Sequence, residues 1–177
     1  MIIIIPGELI SLLTFPGVVL HEIAHRFFCD INDVPVYEIR YFRLLSRRAG
    51  HVIHADTPSL GAGLAIAFAP LIINSLVCML LTIPLGYAAF LGTGFALKLS
   101  MGQILLLWLG YSIGFNAIPS NQDVHGLQSL AKSFLSEVLV FSLQSIVYVF
   151  NLPFVGFWLQ IGYALLLSVL LPKLLLG

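Results

Sequence analysis

The stretch from Leu60 to Leu91 limits the fold more than any other part of the chain. It contains no charged residue and exceeds the roughly 20 apolar residues with which a helix crosses a bilayer. Pro70 and Pro84 fall inside it and either bend the helix or mark its ends. Further apolar stretches run from about Leu9 to Phe28, Gln103 to Ile118, Val138 to Phe150 and Phe154 to Leu171. The last pair is joined by "NLP", a turn short enough for an antiparallel helical hairpin. Only 9% of the 177 residues are charged and 59% are hydrophobic, where a soluble domain carries about 25% charge. A mean hydropathy of +1.03 agrees. The expectation is an all-α membrane protein with about five transmembrane helices. It forms a single membrane-embedded domain over residues 1–177, with a core at about 9–126 and additional helices at about 138–171.

Residues 30–58 break the apolar pattern. "VPVYEIRYF" and "AGHVIHAD" are short, partly alternating runs rich in β-branched and aromatic residues. They predict a small β-hairpin at the membrane surface, and this segment holds much of the charge. Five crossings put Arg26, Arg40, Arg43, Arg47, Arg48, Lys132 and Lys173 on one side and Lys98 on the other. The positive-inside rule makes the first side cytoplasmic. The alternative is that the arginines only pair with Asp30, Asp33 and Glu38. Zero net charge implies no strongly acidic or basic partner, and nothing resembles a nucleic-acid patch; the bilayer is the expected surroundings. The N-terminal "MIIIIPGELIS" has no basic region and no small-residue cleavage site, so it reads as mature sequence. Cys29 and Cys78 are far apart and read as isolated apolar thiols.

Against this apolar background the run "HEIAH", residues 21 to 25, stands out. Ionisable groups inside a membrane span are costly and mark functional sites. Histidines four apart share one helix face, about 6 Å apart along the axis, so His21 and His25 can bind one metal ion together. Glu22 sits beside the first of them, in reach of a water on that metal. Zinc lowers the pKa of such a water toward about 7, and a carboxylate can take up its proton. A tetrahedral site needs a third protein ligand. The candidates are Asp123, His125, His51, His54, Asp56 and Glu137. Asp123, in "FNAIPSNQDVHG", follows the third span on the same side as His25, and His125 is close enough to compete.

These residues resemble the site-2 protease family, intramembrane zinc metalloproteases. "HEIAH" is similar to that family's first motif through His21, Glu22 and His25. "NAIPSNQD" resembles its Asn-x-x-Pro…Asp segment through Asn116, Pro119 and Asp123, and "APLIIN" resembles its Gly-Pro-x-x-Asn stretch through Pro70 and Asn74. Gln122, Gly126 and Ala69 depart from the family pattern, so the resemblance is to a divergent member, and no PDZ or CBS module is expected. The resemblance implies zinc held by His21, His25 and Asp123, with Glu22 and Asn74 as catalytic residues. Asn74, an amide in an apolar span, is then a donor to the tetrahedral oxyanion or to the substrate backbone; otherwise it hydrogen-bonds between helices. Asn116 and Pro119 shape the backbone leading to Asp123, and Gly110 and Gly114 allow close helix packing.

The expected function is that of an intramembrane zinc endopeptidase. It would cut a transmembrane protein or peptide substrate, in the cell membrane, with the active site toward the cytoplasm. An aqueous pocket around Arg26 and residues 119–126 would admit water, and the hairpin would cover it, receive an extended substrate or act as a plain connector. The alternatives are a noncatalytic zinc-binding membrane scaffold, which has no need of Glu22, and a metal transporter. A transporter would carry more ionisable residues spread over several spans than this chain has.

Overall fold

The computed structural model describes residues 7–44, 46, 49–91, 100–171 and 174. Residues 1–6, Arg47, Arg48, Lys98 and Lys173, all used in the sequence reading, lie outside the described residues, as does the side chain of Pro84.

The first apolar stretch is two helices, α1 (Gly7–Leu13) and α2 (Phe15–Ile31), which meet at 85°. The straight span expected from Leu9 to Phe28 is therefore broken, and Pro16 explains why. Proline has no N–H for the preceding turn, and its ring excludes the carbonyl four residues back, yet it fits the first turn of a new helix. Thr14, between the helices, donates its Oγ1–H back to the Ile10 carbonyl at 2.9 Å.

After α2 the chain reverses at Asp33, whose φ of 53° is left-handed, a conformation that Asp tolerates better than most residues. Val34 N–H closes this turn on the Cys29 carbonyl at 2.9 Å. Strand β1 (Val36–Arg40) then pairs antiparallel with β2 (His51–His54), with Arg40 opposite His51, Val36 opposite His54 and an irregularity between Val36 and Glu38. The small β-hairpin expected from the alternating pattern is present. Cys29, Val34 and Ile66 are buried together with Phe28, Val36 and Ala55, which anchors the hairpin on α2 and on the following helix.

That helix, α3 (Leu60–Leu91), runs through both Pro70 and Pro84 without ending. Helix α4 (Met101–Phe115) starts from a capping box between Ser100 and Gln103. It lies tightly on α3 at the expected glycines. A Cβ on Gly110 would come within 2.4 Å of Thr82 Cγ2, and one on Gly114 within 2.8 Å of Cys78 Sγ. Helix α2 approaches α4 closely at Gly17, where a Cβ would overlap the Ser112 carbonyl oxygen. The Gly17 N–H donates to Ser112 Oγ at 3.0 Å. Both cysteines are buried and unpaired, one near each of two apolar clusters.

Two short helices follow, α5 (Asn121–His125) and α6 (Leu127–Leu130), and then α7 (Phe134–Phe150) and α8 (Val155–Leu165), the last continuing as a π-helical turn over Leu166–Leu170. Helices α7 and α8 meet at 95°, not as the antiparallel hairpin expected from "NLP". The reason is local: Gly156 lies so close to Phe150 that a Cβ there would overlap the Phe150 carbonyl oxygen. Its N–H donates to the Leu152 carbonyl at 2.8 Å, while Gln160 Nε2 donates to the Phe150 carbonyl at 3.1 Å. The start of α8 is thus folded across the end of α7. A buried cluster of Ala67, Val124, Leu127, Val140 and Val147 joins α3, α5, α6 and α7.

The described residues are mostly helical with one small two-stranded sheet. Among the described residues, one helix is long and apolar enough to cross a membrane, over Leu60–Ile83, or up to three if each bent pair counts as a single span. Helix α4 is shorter, at 15 residues. The expectation of about five membrane-length helices therefore exceeds what the described helices show, because the first apolar stretch breaks and α4, α7 and α8 are each short, at 15, 17 and 11 residues.

Candidate metal centre

The face of α2 that carries His21 and His25 points at the junction of α3, α4 and α5. Each imidazole is fixed by its Nδ1. His21 Nδ1 lies 2.8 Å from the Asn116 carbonyl and His25 Nδ1 lies 2.9 Å from the Ile66 carbonyl. A carbonyl oxygen only accepts, so both Nδ1 atoms carry the proton and, in the neutral ring, both Nε2 atoms present lone pairs.

Neither carbonyl is free by accident. Ile66 stands four residues before Pro70 in α3, and proline has no N–H to give back to it. The proline inside the helix thus releases one acceptor, and His25 takes it. Asn116 is the C-cap of α4, where carbonyls lack intrahelical donors.

The two Nε2 atoms face each other at 3.1 Å. Asp123 Oδ2 lies 3.4 Å from each of them. Three lone-pair-bearing atoms thus converge on one point, an arrangement that only a cation or added protons can stabilise. His21, His25 and Asp123 form a group able to hold a metal ion. Asp123 is aimed by a capping box at the start of α5: Ser120 N–H donates to Oδ2 at 2.6 Å and Asp123 N–H donates to Ser120 Oγ at 3.3 Å. Burial works against the Asp123 carboxylate, but when the rings are protonated the histidines facing it outweigh that and hold its carboxyl far below the usual range.

Of the other candidate ligands, His125 is exposed and outside the group. His51 and His54 lie on β2, His51 Nε2 at 3.4 Å from Glu38 and His54 Nδ1 at 2.7 Å from the Ala55 carbonyl. Glu137 is in the first turn of α7. Asp56 lines the cavity but is not among the converging ligands.

A cavity of about 780 Å³ opens on the group. Its walls are the α2 face with His21, Glu22 and His25, the strand β2 with the residues leading to α3, the segment from Ser120 to Gly126, and the amides of Asn151 and Gln160. Arg26, expected beside it, is not on the wall and instead pairs with Asp30 at 2.9 Å. Glu22 is buried and faces the cavity next to Gly50, where a Cβ would meet its Cγ at 2.7 Å and its Oε1 at 2.8 Å. The hairpin therefore closes over Glu22, and a side chain at position 50 would require the Glu22 side chain or the hairpin to shift.

Asn74 is fully buried and is not on the cavity wall. Its Nδ2 points at the carbonyls of Gly17, Ile113 and Asn116, at 3.2, 3.3 and 3.0 Å, and its Oδ1 has no partner among the described residues. It ties α2, α3 and α4 together. Through the Asn116 carbonyl, which also receives His21 Nδ1, it reaches the metal group indirectly.

Sequence reasoning missed the backbone carbonyls of Ile66 and Asn116, Gly50, and the cap residue Ser120. The last was readable, because "SNQD" has the Ser-x-x-Asp spacing of a capping box. It also missed Asn151 and Gln160, which carry no local signal of a cavity. Comparison of the chain with protein-family models, with curated proteins and with solved structures gives no match.

Proposed function

We propose that the chain is an intramembrane zinc metalloendopeptidase of the site-2 protease type that cuts membrane-spanning segments of other proteins. The observation that carries this reading is the convergence of His21 Nε2, His25 Nε2 and Asp123 Oδ2 at 3.1, 3.4 and 3.4 Å. Ligand atoms about 2.0–2.1 Å from a tetrahedral zinc ion lie about 3.3 Å from one another. Two imidazoles and one carboxylate, with a fourth position open to a cavity, are the donor set of a hydrolytic rather than a structural zinc site.

Zinc, when bound, supplies a Lewis acid that polarises a carbonyl and eases the ionisation of water. The chain's own residues supply the rest. Glu22, buried at the cavity wall beside His21, takes a proton from the attacking water and delivers it to the leaving amine. Among the described residues its carboxylate makes no ion pair or hydrogen bond that would give it a structural duty, which favours the enzyme over a zinc-holding scaffold. Asn74 acts through the Asn116 carbonyl, keeping His21 in the tautomer that leaves Nε2 free. Substrate enters as an extended segment, because helical amides are hydrogen-bonded and shielded. Strand β2 borders the cavity and offers its outer edge to such a segment.

In this reading the protein is a multi-pass protein of the cell membrane. Helix α3 makes one crossing, and the bent pairs with the shorter α4 make the others. The hairpin and cavity mouth lie on the cytoplasmic side.

The test is Glu22→Gln, which keeps size and removes basicity. Zinc content and folding in detergent stay near normal, and cleavage of a membrane-segment substrate falls at least about a hundredfold. Cleavage at the wild-type rate with zinc bound rejects the mechanism, and wild-type protein that binds zinc but cuts no segment leaves the scaffold as the better description.

A further inference from the structure

We propose that α7 is a clamp for the third metal ligand, with Gln144 and Asn151 as positioning residues for Asp123. The inference rests on the metal reading above and extends it to a helix that the motifs do not reach.

Asp123 sits in α5, a helix of five residues. Helices shorter than about 12–15 residues do not hold themselves together, so the position of the carboxylate depends on what grips this turn from outside. The capping box fixes its start relative to Ser120 only. The remaining grip comes from apolar packing against α3 and α7, and its polar part comes from α7. Asn151 Nδ2 donates to the Pro119 carbonyl at 2.9 Å, just before the turn, and Gln144 Nε2 donates to the Val124 carbonyl at 2.8 Å, just after Asp123. The two amides bracket the ligand.

Asn151 also donates to the Val147 carbonyl at 2.8 Å. Both of its amide hydrogens are then engaged, and the side chain cannot turn without breaking both contacts. Val140, Gln144, Val147 and Asn151 follow one another at four-, three- and four-residue steps, which places them on one face of α7. The two valines on this face bury against Val124 and Leu127. Packing presses the turn onto α7, and the amides set where along the helix it stops.

This matters at the metal because the tolerance is small. Ligand distances vary by about 0.2 Å around their ideal values, so a slide of α5 along α7 by one ångström takes Asp123 out of the ligand sphere. His21 and His25 sit on one continuous helix and need no such device.

The test uses the full chain in detergent, freed of metal and titrated with cobalt(II) and with zinc(II) against a competing chelator. Wild type takes up metal with the visible absorption of tetrahedral cobalt. Gln144→Met and Asn151→Leu keep side-chain size and remove the donors. Each lowers affinity about 10- to 100-fold, the usual effect of losing an outer-shell partner, and weakens the tetrahedral band while the protein stays helical and monodisperse. Val147→Ala removes packing from the same face but keeps both amides, so it lowers the unfolding temperature without this loss of affinity. If Asn151→Leu fails to fold, Gln144→Met, further from the α7–α8 turn, decides the matter. Unchanged affinity and spectrum in the amide variants, beside a wild type whose metal depends on Asp123, overturns the clamp alone. An equal loss in Val147→Ala also overturns it, packing being sufficient. Metal binding that survives Asp123→Ala removes the clamp and the metal reading together.

Discussion

The imidazole of His25 donates its Nδ1–H to the carbonyl of Ile66 at 2.9 Å, and that carbonyl is available because Pro70 stands four residues further along α3. A residue with no N–H in one helix thereby sets the tautomer of a histidine in another. Replacing Pro70 by Ala returns an N–H to compete for the carbonyl. An interior proline costs a helix about 3 kcal/mol, so Pro70→Ala raises the thermal stability of the metal-free protein. It lowers zinc affinity by about tenfold. The opposite signs are the check, read by thermal unfolding and chelator competition on the same samples. A variant that gains stability and keeps full affinity shows that Pro70 serves the backbone only.

The facing Nε2 atoms of His21 and His25 predict a strong coupling between metal and stability. Zinc at a hundred times its dissociation constant stabilises the folded state by about 2.7 kcal/mol, and thermal unfolding in detergent registers the shift. His25→Ala removes both the shift and two of the three contacts between opposed lone pairs. A wild-type protein whose unfolding temperature ignores zinc and chelator has no site at this position.

Gly50 offers a way to disturb Glu22 without touching it. A Cβ there meets Glu22 Cγ at 2.7 Å and Oε1 at 2.8 Å, so Gly50→Ala displaces the carboxylate or lifts the hairpin. Displacing a reacting group by about 1 Å can cost a hundredfold in rate. Zinc content stays unchanged and cleavage of a membrane segment falls about 10- to 100-fold. Normal turnover in Gly50→Ala shows that the contact between Gly50 and Glu22 is not needed to place the carboxylate.

Asn74 tests a division of labour. Asn74→Ala strips a donor from the carbonyls of Gly17, Ile113 and Asn116, the last of which keeps His21, and a buried acceptor left unsatisfied costs about 1–3 kcal/mol. Stability and zinc affinity fall together, and activity falls only as far as zinc occupancy does. Loss of activity with stability and zinc untouched assigns Asn74 to the reacting carbonyl instead.

Orientation is checked by a single engineered thiol. Cys29 and Cys78 are buried, so background labelling is low. With Ser46→Cys, a membrane-impermeant maleimide reacts from the cytoplasmic side only. Reaction from outside reverses the topology.

The sequence by itself determined the elements whose signals are local. The charge-free run of α3, the four-residue step between His21 and His25, the alternation that becomes β1 and β2, and the Ser120-x-x-Asp123 cap are all visible in order along the chain. Each depends only on which residues share a face or a turn. The tertiary structure decided which groups meet. His21 and Asn116 are 95 positions apart, and nothing in either neighbourhood predicts that one carbonyl takes both the His21 ring and the Asn74 amide. Asp123 and His125 were both candidates as third ligand, and packing turns the first toward the histidines and leaves the second exposed. The grip of Gln144 and Asn151 on α5 has the same origin, whereas the breaks at Pro16 and Gly156 and the release of the Ile66 carbonyl by Pro70 are local effects of single residues. Periodicity records the face a residue presents, but its partner is set by how closely helices approach, and that is decided where glycines such as Gly17, Gly110 and Gly114 let backbones touch.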